Sequence, residues 1–193
     1  MTQATNELAR TLLSFGHVGL FMGLDATALD RMWSEPGAPE RLRELILDDA
    51  ADPEARFLAA EVLFARASGF PPGDLKPALA SIYTRAMGST EVANPWGLPG
   101  EIDGAGQHLL QLGDAVVAPL MHMLQDERPR VYAGSKDATV GNSFGYRVKD
   151  LAAFYLSRLL NLPYLVHQRP SERDLEIDAL RAALTRRSRG SAR

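Results

Sequence analysis

Tyr132, Ser135, Lys136, Asp137, Thr139, Asn142, Ser143 and Tyr146 crowd into one stretch, RVYAGSKDATVGNSFGYRVKD, residues 130–150. Rigid aromatic area framed by small polar donors and acceptors is the chemistry of a recognition loop. Gly134, Gly141 and Gly145 permit positive φ, and no helical period survives across the stretch. The expectation is a long inserted loop with Tyr132, Ser135, Lys136, Asp137, Thr139, Asn142 and Tyr146 as binding residues. The competing expectation is a loop folded back over a helix seam, its tyrosines serving as cover. A phosphate loop is excluded, because AGSKDATVG lacks the GxxxxGK[ST] order and follows a helix rather than a strand.

Other chemistry-bearing residues are sparser. His122 and Asp126 stand at i,i+4 on one helix face, and His108 precedes them, but no HxxxH or HExxH accompanies them. Glu101 and Asp103 in NPWGLPGEIDGAG form a carboxylate pair two residues apart, a spacing more typical of solvated loop acids than of an acid/base couple. Trp96, between Pro95 and Gly97, is expected to anchor this connector by burying its ring. No catalytic residue, metal ligand or cofactor is assigned.

The chain that must position these groups has 193 residues, 46% of them apolar and 23% charged, which is ordinary globular composition. It contains no cysteine, so disulfides and thiolate metal sites are ruled out. The apolar run Leu12–Leu24 carries His17 and three glycines, is too short to span a bilayer, and has a leader unlike a signal peptide. The expectation is a packed N-terminal segment of a cytoplasmic protein without a membrane anchor. A net charge of −3 argues against a broad nucleic-acid surface. The exception is the tail Arg181–Arg193, whose five arginines leave roughly −8 on the rest of the chain. It reads first as a helix end whose arginines sit near carbonyls, with a contact to RNA or an acidic partner as the alternative.

Helix signals recur along the chain. DPEARFLAAEVLFARA opens with Asp52 as N-cap and Pro53 at the first helical position, then places Phe57, Ala60, Phe64 and Ala67 on one face. YRVKDLAAFYLSRLLN sets Val148, Leu151, Ala152, Tyr155 and Leu159 opposite Lys149 and Ser157. SERDLEIDALRAALTRR carries Ser171 and Asp174 at capping-box spacing. PERLRELILDD, GDLKPALASIYTRAM and DAVVAPLMHMLQ are shorter helices, DATALDRMW is a weak one capped by Asp25, and Pro119 predicts a kink or break. SEPGAP, GFPPGD and NPWGLPG separate them.

Two stretches share a plan. LRELILDDAADPEARFLAAEVL and VAPLMHMLQDERPR…YRVKDLAAFYLSRLL each run from a leucine-rich helix through an Asp to an Arg and then an Ala-Ala helix. The matching residues are Asp48 or Asp49 with Arg56 and Ala59-Ala60, then Asp126 with Arg147 and Ala152-Ala153. This plan resembles HEAT-like repeats over roughly residues 40–165. It also resembles, more weakly, uncharacterised bacterial proteins of HEAT type with a glycine-rich insert. The resemblance implies an all-α fold, a short HEAT-like α-solenoid of antiparallel helix pairs with one long inserted loop. It also implies that these Asp and Arg residues link turns of adjacent units. The expected organisation is a single domain over 1–193. Packed helices occupy 1–38, the repeat core 39–165 with the insertion at 127–146, a C-terminal helix 171–187 and a basic tail 188–193.

The function expected is a non-catalytic protein-binding module with an unknown protein partner, using the solenoid face and the inserted loop. The alternative is a hydrolase-type enzyme with a cleft between segments 94–106 and 127–146, where Glu101, Asp103, His108 or Lys136 would act as acid or base. The HEAT-like DNA glycosylases make that class conceivable, though the acidic body lacks a phosphate-tracking basic stripe.

Overall fold

The computed structural model describes residues 2–21 and 27–191. They form a mostly helical chain with one two-stranded hairpin, an all-α fold. No helix among them is long and apolar enough to cross a membrane. Where a single domain was expected, the chain groups into two compact units, Met1–Ala86 and Met87–Arg193.

In the first unit, α1 (Gln3–Phe21) buries Leu8, Leu12 and Leu20 and is interrupted at Gly16, whose φ of 60° only glycine adopts cheaply. Then come α2 (Ala28–Trp33), α3 (Ala38–Leu47), α4 (Pro53–Arg66) and α5 (Lys76–Ser89), whose last residues cross into the second unit. The expected cap Asp25 and the end of the apolar run at Leu24 lie outside the described residues; the residue preceding α2 is Thr27. Asp52 caps α4 as expected, accepting from the amides of Glu54 and Ala55 at 2.8 and 3.2 Å. Arg56 donates through Nε and Nη2 to the Ile46 carbonyl, at the end of α3, and pairs with Asp49 at 2.8 Å. One guanidinium thus satisfies an orphan helix-end carbonyl and ties α3 to α4.

The second unit begins with the turn Asn94–Trp96 and the antiparallel hairpin β1 (Gly97–Leu98) and β2 (Glu101–Ile102). The helices α6 (Gly104–Gln111), α7 (Val117–Met123), α8 (Ser135–Phe144), α9 (Val148–Leu160) and α10 (Pro170–Ser191) follow. Pro119 lies in the first turn of α7, where a missing N–H costs nothing, and the break falls just before it at Gly113–Val116. α9 is buried nearly all round. Lys149 and Ser157, expected on an exposed face, are covered, because Lys149 pairs with Glu127 and Asp174 and Ser157 bonds the Phe154 carbonyl. α10 starts at Pro170, so Ser171 lies inside the helix, and Asp174 pairs with Arg147 and Lys149 instead of closing a capping box. Two of the tail arginines are helix-end ligands, as expected: Arg181 donates to Leu124 O after α7 and Arg187 to Leu160 O at the end of α9. α10 runs to Ser191, and residues 192–193 of the expected tail lie outside the described residues.

Candidate functional site

The inserted stretch is not the open loop that its composition predicts. Residues 135–144 form α8, entered from Gly134 (φ 84°) and closed by Gly145 in the left-handed conformation. Its sequence has weak helix propensity and no wide apolar stripe, so tertiary contacts supply the stability. The ring of Tyr132 lies directly on Gly141; a Cβ there would sit 2.3 Å from a ring carbon. That glycine exists for close packing rather than for a turn.

Two asparagines stitch the strap ahead of α8 into place. Asn142 accepts from the Tyr132 amide and donates to the Tyr132 carbonyl, both at 2.9 Å. Asn94 treats Ala133 the same way, at 2.8 and 2.9 Å, and also donates to Asp137 at 3.1 Å. Each carboxamide mimics a peptide group and satisfies one residue's backbone donor and acceptor. The Ala93 amide adds a bond to Val131 O at 2.8 Å. Arg130, buried, donates to the carbonyl and hydroxyl of Thr90, and burial pulls its guanidinium below the usual arginine range.

The tyrosines point inward. Tyr132 and Tyr146 are each 2% exposed, their rings edge to face at 6.2 Å. The Tyr132 hydroxyl donates to Gly97 O at 3.0 Å, and the Tyr155 hydroxyl donates to Trp96 O. Trp96 is fully buried, as its place between Pro95 and Gly97 predicts. Burial raises the phenol pKa of Tyr132 well above the ordinary tyrosine value and that of Tyr146 to about 12. The remaining candidate residues lie elsewhere. Ser135 opens α8, Lys136, Thr139 and Ser143 are exposed, Asn142 is turned onto the Tyr132 backbone, and Asp137 is half-buried beside Asn94.

Arg173, buried completely, holds the far end of α8 and carried no signal in the sequence beyond its place on a helix. It donates to the carbonyls of Phe144 and Gly145 at 3.0 and 3.1 Å and to those of His167 and Gln168 at 2.9 and 2.7 Å. Its guanidinium also lies 5.0 Å from the centre of the Tyr146 ring and 3.2 Å from the buried Asp150. Arg147 meets the same Asp150 at 3.0 Å and reaches Asp174 at 2.8 Å and Glu127 at 3.1 Å. Desolvation would lower the Arg147 pKa, but the hydrogen bonds and charges of Asp150 and Asp174 outweigh it and raise it. The expected link between Asp126 and Arg147 is not made by their side chains. Asp126 is held by Arg128, whose hydrogen bonds keep its carboxyl below the usual range, while its backbone carbonyl accepts from Lys149 N at 3.0 Å.

Segments 94–106 and 127–146 do meet, but as packed backbone with an ion pair at the edge. Lys136 and Glu101 pair at 3.1 Å in solvent, raising the lysine pKa through that hydrogen bond, and Asp103 caps α6 through the Gly104 amide at 3.0 Å. His122 is exposed and His108 half-buried, and among the described residues no three His, Cys, Asp or Glu side chains are placed to hold a metal ion.

The unit's open cleft lies elsewhere, along α9 and the extended segment after it. It measures about 950 Å³ and is lined by Leu110, Phe154, Leu159, Leu162, Tyr164 and Leu165, with Gly100 at one end. Arg158 is its one charged lining residue and makes no hydrogen bond or ion pair among the described residues. Leu165 is 63% exposed, while the Tyr164 hydroxyl is buried without a partner among the described residues. Gly100 in its lining adjoins Glu101, which pairs with Lys136 of α8. The signal for it was the apolar NLPYLV stretch (161–166), too short and proline-broken to read as a helix. No family model, curated protein or solved structure matches this chain.

Proposed function

We propose that this protein is a non-catalytic protein-binding module built from HEAT-like antiparallel helix pairs, and that its contact surface is the cleft beside α9 with the outer face of α8. One observation carries this: an open cleft of about 950 Å³ with leucines and aromatic rings in its lining, whose described residues include one unpaired cation and no carboxylate. Acid–base catalysis needs two titratable groups converging on a reacting atom, whereas a groove of leucines rimmed by a lone arginine suits an apolar side chain flanked by an acidic one. The exposed Lys136, Thr139 and Ser143 extend the surface with adaptable polar contacts. Tyr132 and Tyr146 support it from beneath. The hydrolase alternative keeps one favourable point, the meeting of its two segments at Glu101 and Lys136. A carboxylate paired with a lysine in open solvent lacks the dry surroundings of a general acid.

The test is site-specific photo-crosslinking in native lysate with the probe at Leu165, at Ser143, and at the exposed Val18 as control. A common protein partner is expected at the first two positions and not at the third. Leu165→Asp should abolish that adduct from Ser143 while the melting temperature holds. Equal, unselective labelling at all three sites would sink the proposal.

A further inference from the structure

α10 presents a second exposed surface that the cleft does not use. Leu175 is 71% exposed, more than any other large apolar side chain described. Ala179, Ala182 and Arg186 follow it and are also exposed, while Ile177, Leu180 and Leu184 on the opposite side are buried. Steps of four, three and four residues keep one stripe turned toward a neighbouring helix. Two alanines in the middle of that stripe let a facing backbone approach closely.

Charge along α10 is polarised. The first half holds Glu172, Asp174, Glu176 and Asp178, and its single arginine, Arg173, is buried against Asp150. The second half holds Arg181, Arg186, Arg187 and Arg189 and no acid. Arg186 makes no hydrogen bond or ion pair among the described residues. Asp174, Arg181 and Arg187 are spent on contacts within the chain, but Glu172 and Asp178 flank Leu175 at one end of the stripe and Arg186 stands at the other, so the stripe is complementary to itself turned end for end. That is what an isologous twofold contact requires.

We propose that α10 pairs antiparallel with α10 of a second copy of this chain, about a twofold axis between Ala179 and Ala182. In this register Ala179 of one copy faces Ala182 of the other, and Leu175 lies along the aliphatic stem of Arg186. Glu172 and Asp178, on either side of Leu175, then lie beside Arg186 of the mate. A parallel pairing would set like charges together. The stripe from Leu175 to Arg186 is only about 17 Å long, so the contact is smaller than a standard stable interface and the dimer is concentration-dependent. None of the four residues lines the cleft, so this pairing stands or falls separately from protein binding there.

Sedimentation equilibrium of the full chain from micromolar to about millimolar concentration should show a reversible monomer–dimer equilibrium. About 0.5 M salt should weaken it several-fold by screening the paired halves. Ala182→Arg and Leu175→Lys should each raise the dissociation constant at least about tenfold. Both replace an outward residue with another helix former, so the melting temperature should stay at the wild-type value; Arg186→Glu, which only inverts charge, provides a third variant if either melts early. Leu165→Asp in the cleft should leave dimerisation untouched. A monomer throughout the concentration range overturns the proposal, as does a dimer that survives all three α10 variants or is lost with Leu165→Asp.

Discussion

At the level of single residues, Tyr132 shows how one side chain can carry opposite meanings. Tyrosine beside Gly, Ser and Asn is what a recognition loop contains, and it is also what a tightly packed strap contains. The fold uses the second meaning: the ring lies on Gly141, the hydroxyl reaches Gly97 O, and solvent sees almost none of it. Tyr132→Ser should therefore cost about 3–5 kcal/mol, the usual scale for emptying a buried aromatic site. Urea unfolding monitored by circular dichroism measures it. A loss below about 1 kcal/mol would mean that the ring is not a structural wedge and would return Tyr132 to the list of contact residues.

Among elements, α8 and the strap before it depend on two carboxamides more than on propensity. Asn94 and Asn142 each complete the hydrogen bonding of one backbone residue, and removing either leaves a partly buried amide and carbonyl unpaired. In Asn142→Ala the Tyr132 amide should exchange with solvent about tenfold faster, and in Asn94→Ala the Ala133 amide, each corresponding to about 1.4 kcal/mol of lost local protection. Exchange in α9 should not change. Acceleration spread evenly over the unit would show that the asparagines stabilise the whole fold rather than the strap. These elements also mark what a sequence can disclose. α4 and α9 were readable because caps and apolar periodicity are local signals, and Asp52-Pro53 announced the start of α4. α8 was not, because glycine, serine and asparagine have poor helix propensity and its supports, Asn94 and Arg173, lie about thirty to forty residues away. The cleft was hidden for a related reason: Leu162 and Leu165 look like core residues until the chain is seen to leave them beside α9.

For the molecule as a whole, the five tyrosines, Tyr83, Tyr132, Tyr146, Tyr155 and Tyr164, share one electrostatic condition. Burial raises the pKa of every one, to about 12 for Tyr146 and well above the ordinary tyrosine value for the others. In the unfolded chain the same phenols ionise near pH 10. Above that value the unfolded state has released protons that the native state still holds, so stability must fall as pH rises. The contribution is complete below about pH 10 and is lost as the pH climbs through the folded values near 12 and beyond. Lys149, its pKa raised by Asp174 and Glu127 against the desolvation of its ammonium, adds to the same slope. Near-ultraviolet absorbance should therefore show almost no tyrosinate at pH 10–11, then one steep rise coinciding with the loss of helical ellipticity. Brought rapidly back to neutral pH, the protein should recover both signals together. Tyrosines titrating gradually around pH 10 while the helices persist would mean that the phenols are open to water, and the packing of the strap, α8 and α9 against one another would have to be redrawn.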